Sequence, residues 1–293
     1  MKSSTRHKLF GLFSVSLALF LLGPLRQLVA FALDRSGTID SSHILLVPFI
    51  TAALLFFNRR RVFSDLQVSA VPAAIVWVAG AAFYYAGRTY SQGLAQSDYM
   101  ALMAGAVITF WLGGFLLFYG TTAFKAGLFP LLFLSLAVPI PADLFHGVAR
   151  WLQYGSAEMV SAIFTLTRTP AFRDGFVFLL PGLTIEVAEE CSGIRSTLGI
   201  FIVTLLAGHL LLRSKWKKTA LLLAVIPISL FKNAVRIATL SLLAIHWDKG
   251  FITGRLHHEG GIVFMMIGLG LIYPLLAVLV KSEGKLLVSG VRS

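Results

Sequence analysis

Apolar residues fill long runs along this chain, and polar residues gather in the short intervals between them. Eight runs approach or reach the roughly 20 residues that a bilayer crossing needs: 9–32, 42–57, 67–88, 99–120, 124–141, 192–212, 219–245 and 260–281. The second and fifth are short or broken. This pattern predicts an all-α polytopic membrane protein of about eight transmembrane helices, organised as a single integral membrane domain over residues 1–293.

One interval is much longer than the others. Residues 142–190 open with an amphipathic stretch in which Leu144, Val148, Leu152, Met159 and Ile163 recur near helical spacing, interrupted by Arg150 and Glu158. That is the pattern of a helix lying in a membrane interface. Beyond it, Thr184, Glu186 and Ala188 alternate with Leu183, Ile185 and Val187 after the turn dipeptide Pro181-Gly182. A short β-hairpin is expected there, its second arm leading directly to residue 191.

Composition agrees with the membrane reading. Hydrophobic residues make up 57% of the 293 and charged residues only 13%, about half the share of an ordinary soluble domain. Mean hydropathy is +0.83. The net charge of +12 does not mark a nucleic-acid surface, because the basic residues sit between apolar runs. Clusters at Lys2/Arg6/Lys8, Arg59/Arg60/Arg61, Arg213/Lys215/Lys217/Lys218 and Lys281/Lys285 fall on one side of an eight-span chain, together with both termini. The positive-inside rule makes that side cytoplasmic and puts segment 142–190 outside. The basic start and apolar stretch of residues 1–22 resemble a signal peptide, with Ala30-Phe31-Ala32 as a passable cleavage sequence. The many later spans favour an uncleaved first helix.

Three groups then stand out for their chemistry. Cys191, the one cysteine in the chain, lies in VAEECSGIRS, just where the sixth run begins. A cysteine near a membrane helix is commonly a small apolar filler. Here its neighbours are polar or small, a helix N-terminus favours a thiolate, and Gly193 permits close approach. Arg236 lies deep in the seventh run, in SLFKNAVRIATL, and an arginine at that depth marks a functional site. Asn233 is three residues earlier on the same face, where its amide can orient the guanidinium or a substrate carbonyl. Lys232 is nearer the cytoplasmic end and is expected to snorkel towards it. His257 and His258, in GRLHHEGGIVF, stand at the outer mouth of the eighth run. The topology brings all three groups towards one membrane face. An imidazole to activate a thiol, a thiol to attack and a guanidinium to hold an oxyanion form a complete set for acyl transfer through a thioester.

The stretches IEVAEECSGIRS, NAVRI and HHEGGIVF resemble the three signature blocks of the exosortase/archaeosortase family, and the likeness runs from about the third span to the eighth. The resemblance implies a membrane cysteine transpeptidase or protease that processes C-terminal sorting signals of the PEP-CTERM type, each a short motif, a transmembrane helix and a basic tail. It implies Cys191 as nucleophile, Arg236 as the family arginine and a histidine as third member. His257 keeps the family's four-residue spacing to a glycine, Gly261, that opens an apolar run; His258 is the alternative. Ser192, Gly193 and Asn233 are expected to bind or orient substrate. Glu190 stands where the family pattern has a small residue, and since a carboxylate disfavours a thiolate its side chain is expected to point away.

No cofactor and no metal are expected: His257, His258 and Glu259 are adjacent, and adjacent residues rarely converge on one ion. The spacing from Glu189-Glu190 to Arg195 is wrong for a CAAX-type intramembrane protease. A transporter or channel with a buried functional arginine is the non-enzymatic alternative, although no duplicated half suggests one. The expected partners are exported proteins and membrane lipids, not nucleic acid. The expected location is the cytoplasmic (inner) membrane, with the site towards the extracytoplasmic face.

Overall fold

The computed structural model describes residues 3–34, 42–248, 250–253 and 261–289, and they are overwhelmingly helical. In chain order the helices are α1 (Ser3–Phe20), α2 (Leu22–Leu33), α3 (His43–Phe57), α4 (Arg59–Val62), α5 (Ala70–Tyr90), α6 (Gln96–Ala126), α7 (Leu128–Phe133), α8 (Ala142–Leu166), α9 (Ile194–Leu211), α10 (Lys215–His246), α11 (Gly250–Thr253) and α12 (Gly261–Ser289). A 3-10 turn, Leu134–Ala137, follows α7, and another, Glu189–Cys191, precedes α9. Strands β1 (Phe172–Asp174), β2 (Val177–Leu180) and β3 (Leu183–Glu186) lie between α8 and α9.

Among the described residues, five helices are long and apolar enough to cross a membrane: α5, α6, α9, α10 and α12 from Gly261 to Gly284. Counting each of two bent pairs as one span raises the number to seven. The run at 9–32 is one such pair, bent by 76° between α1 and α2. Pro24 explains the break: in an unbroken helix its ring would clash with the carbonyl four residues back, at Phe20, where α1 ends. The run at 124–141 breaks into α7 and a 3-10 turn before Pro139 and Pro141, and its 128–137 part pairs with α8. The run at 42–57 folds as α3, apolar but only 15 residues long. The chain is thus a multi-pass helical membrane protein, with five to seven candidate spans among the described residues, by length and composition, where the sequence pattern suggested about eight.

Backbone contacts divide the chain into two compact units, residues 1–145 and 146–293. In the first, α5 and α6 pack closely because small residues meet large ones. The α-carbon of Gly113 lies so near the Trp77 indole that a Cβ would sit 2.3 Å from its ring, and the indole Nε1 donates to Phe110 O at 3.0 Å. Such small-residue contacts are how helices associate where no water drives them together. Val62, Phe115, Tyr119, Ala123 and Leu131 form the buried cluster beside them.

In the second unit α10 is the axle. Its Ala234 and Ala238 join Ala157, Val160 and Phe164 of α8 and Phe178, Leu180, Ile185 and Val187 of the sheet segment in one buried cluster. Its Leu221 and Val225 join Ile200 of α9 and Ile272 and Leu279 of α12 in another. The three strands are antiparallel in the order β1-β2-β3. The expected hairpin is β2–β3, with Leu180 facing Leu183 across Pro181-Gly182. The added strand β1 pairs Phe172 with Leu179 and Asp174 with Val177. Helix α8 buries Phe145, Ala149, Leu152, Val160 and Phe164, while Leu144 and Val148 face outward. The buried stripe is therefore rotated from the expected one, because apolar residues occur on nearly every side of this helix.

Candidate functional site

The turn that carries the thiol is built from both directions along the chain. Val187, just past β3, donates its N–H to Phe176 O at 2.9 Å, and its own carbonyl accepts from the amide of Gln153 on α8. The chain then tightens: Cys191 N–H donates to Ala188 O at 2.9 Å and Ser192 N–H to Glu189 O at 3.0 Å. Gly193 follows with φ of +78° as the residue capping α9. A side chain there would be strained by the left-handed backbone, and its Cβ would sit 2.8 Å from Asn233 Oδ1. Glycine is required on both counts.

Once past Gly193, α9 starts under a concentration of hydrogen bonds. The Gly193 carbonyl accepts from Thr197 N–H at 2.9 Å, from Thr197 Oγ1 at 2.8 Å and from Ser196 Oγ at 3.0 Å. Ser192 is buried, its hydroxyl oxygen 3.4 Å from the Ile194 N–H. Thus Ser192 and Gly193 shape the turn, and α9 begins three residues beyond Cys191 instead of at it.

Helix α10 meets this turn directly. Asn233, 1% exposed, donates its amide to Cys191 O at 2.8 Å and to Ser156 Oγ of α8 at 3.0 Å. Its Oδ1 is buried and has no hydrogen-bond partner among the described residues. One turn further along α10 the half-buried Arg236 lies within electrostatic reach of Cys191. Cys191 and Arg236 line one pocket with Glu186, Ser241, Ile185, Ile237 and Leu240. Its volume of about 50 Å³ holds a peptide group or a few waters, whereas small-molecule sites usually enclose roughly 300–1,000 Å³.

Two further groups are placed differently from expectation or were not anticipated. Lys232 does not snorkel: it is 1% exposed and donates to Ser196 Oγ of α9. Gly268 of α12 faces α9 closely, since a Cβ there would sit 2.5 Å from Ile200 Cδ1. His146, at the start of α8, has its Nδ1 2.5 Å from Glu189 Oε1. That contact engages one of the two carboxylates preceding the cysteine. The Glu190 side chain, and His257 and His258 with it, lie outside the described residues.

Of the expected site residues, Cys191, Ser192, Gly193, Asn233 and Arg236 are brought together. Gln153, Ser156, Ser196 and His146 were missed, and Lys232 was noted only as a snorkelling residue. Gln153 and Ser156, three residues apart, are polar residues on the buried side of α8, which burial and not sequence reveals. Lys232 precedes Arg236 by four residues and so shares its side of the helix.

The model of the transmembrane exosortase family matches residues 36–274. The chain belongs to that family. No curated protein and no solved structure gives a match. Membership makes this exosortase a membrane sorting protease or transpeptidase of the cysteine-dependent kind, with protein substrates that carry C-terminal sorting signals. The match runs from before α3 into the first half of α12 and so includes every element of the pocket.

Proposed function

We propose that this exosortase cleaves C-terminal sorting signals of the PEP-CTERM type at the outer face of the cytoplasmic membrane, by way of a thioester on Cys191. The observation that carries the reading is that Cys191 and Arg236, from different parts of the chain, line a single pocket. On the eight-span topology that the basic clusters suggest, both termini are cytoplasmic, and segment 142–190 is the extracytoplasmic insert that delivers the cysteine. The substrate helix enters laterally from the bilayer, so that its membrane border reaches the pocket.

In the first half-reaction His257 takes the thiol proton and the Cys191 sulfur attacks the scissile carbonyl carbon, forming a C–S bond. The carbonyl oxygen becomes an oxyanion, which the Arg236 guanidinium holds. The C–N bond then breaks, and the proton on His257 passes to the leaving amine, which departs with the transmembrane helix and basic tail. In the second half-reaction water or an acceptor amine attacks the thioester, and the thiol is restored. Asn233 fixes the Cys191 backbone throughout, while Ser192 and Gly193 set the turn that presents the sulfur. His258 takes the role of His257 if its side chain is the one that faces the thiol.

The test is to co-express a reporter ending in a PEP-CTERM-type sorting helix with wild-type protein, Cys191→Ala, Arg236→Ala, His257→Ala and His258→Ala. Loss of processing is expected in Cys191→Ala, Arg236→Ala and His257→Ala. Full processing by Cys191→Ala refutes the nucleophile, and loss in His258→Ala alone exchanges the histidines.

A further inference from the structure

We infer that Lys232 is a positioning residue for the Cys191 turn, acting through Ser196; the inference rests on the reading of Cys191 as nucleophile. An ammonium inside a membrane helix is costly and marks function by default. Lys232 is 1% exposed, and among the described residues no carboxylate pairs with it. Its hydrogen bond goes to Ser196 Oγ. Accepting from Lys232 leaves the Ser196 proton for the Gly193 carbonyl, which it meets at 3.0 Å. A charged donor at the head of such a chain polarises the bond that follows. The next residue on α10, Asn233, holds the Cys191 carbonyl at 2.8 Å. Two consecutive side chains of α10 therefore grip the two ends of the tripeptide Cys191-Ser192-Gly193, one directly and one through a serine.

The gripped segment includes the left-handed residue that joins the cysteine to α9. Loosening either end lets the sulfur drift from Arg236. The lysine adds a second positive charge one helical turn from the guanidinium, on the buried part of α10. Both effects favour a thiolate at Cys191. The other charged groups near the turn are Glu186 in the pocket wall, the Glu189–His146 pair and the exposed Arg195. A lysine that only tied α9 to α10 would leave the reactivity of the thiol unchanged.

Cys191 is the only cysteine in the chain, so alkylation by iodoacetamide reads this one site. Its rate is measured against pH in detergent-solubilised wild type, Lys232→Met, Lys232→Arg, Ser196→Ala and the Lys232→Met/Ser196→Ala double variant. Lys232→Met is expected to raise the pH midpoint by about one unit, making alkylation about tenfold slower at pH 7. Ser196→Ala is expected to shift it less in the same direction, the double variant no further than Lys232→Met, and Lys232→Arg to restore most of the rate. A wild-type midpoint in Lys232→Met overturns the inference. If that variant does not fold, a wild-type midpoint in Ser196→Ala overturns it instead. Processing by Cys191→Ala tests the nucleophile separately, so either idea can fail while the other stands.

Discussion

The amide of Asn233 donates to the carbonyl of Cys191 at 2.8 Å, tying the middle of a membrane helix to the backbone of the candidate nucleophile. The same amide donates to Ser156 Oγ at 3.0 Å, so one side chain joins α8, α10 and the cysteine turn. Asn233→Ala removes both bonds and leaves a buried carbonyl without its donor, a loss of about 1–3 kcal/mol. Asn233→Asp keeps the shape, removes the donors and adds a carboxylate beside the turn. Reporter processing is expected to fall at least tenfold in Asn233→Ala and further in Asn233→Asp, with both proteins still in the membrane fraction. Equal processing by Asn233→Asp and wild type counts against the bond as a positioning element.

Gly193 and Asn233 are coupled by contact as well as by proximity to the cysteine. Gly193→Ala meets two penalties: about 1–2 kcal/mol for a left-handed backbone and a Cβ placed 2.8 Å from Asn233 Oδ1. The second penalty disappears when the asparagine is truncated. A double-mutant cycle of Gly193→Ala with Asn233→Ala, read by thermal unfolding in detergent, is expected to show non-additivity of about 0.5 kcal/mol or more. Strict additivity shows that the turn relaxes away from α10.

Much of this arrangement is legible in the chain itself. Cys191 among polar neighbours, Arg236 within an apolar run and the alternation after Pro181-Gly182 each break a local pattern, and each break has a place in the fold. What escaped reading depends on tertiary contact. The buried Lys232 finds its partner in Ser196 on another helix, and no periodicity within α10 reports it. The pairing of His146 with Glu189 joins residues far apart in the chain. The bend between α1 and α2 was available in Pro24, but the continuous hydropathy of 9–32 hid it. The orientation of α8 could not be fixed by period alone, because Leu144, Val148 and Trp151 are apolar yet outward-facing, as a helix in contact with lipid permits.

The small sheet holds the cysteine turn against α8, and its anchor is Phe178. This side chain is fully buried, packs edge-on against Phe164 at 5.7 Å between ring centres and lies beneath the Arg173 guanidinium. Phe178→Ala is expected to cost about 3–5 kcal/mol and to abolish processing through loss of folded protein. Leu179, the next residue, faces outward, and Leu179→Ala is expected to leave both properties near wild type. Limited proteolysis of membranes checks this: new cleavage within 167–190 is expected only in Phe178→Ala. Identical digestion of the two variants removes the sheet as a support for the site.

His146 is expected to matter through charge rather than through stability. Its contact with Glu189, at 2.5 Å, joins two solvent-exposed side chains, and such a pair contributes about 1 kcal/mol or less. Glu189 also lies two residues before Cys191 in the same 3-10 turn. A carboxylate there opposes a thiolate unless another group engages it. His146→Ala is therefore expected to change the melting temperature little while raising the pH midpoint of Cys191 alkylation. Adding Glu189→Gln should reverse that rise, because it removes the carboxylate left without its partner. A large drop in melting temperature in His146→Ala identifies the pair as a structural tie instead. If the midpoint rises in His146→Ala and stays raised in the double variant, the imidazole itself, not the carboxylate it engages, acts on the thiol.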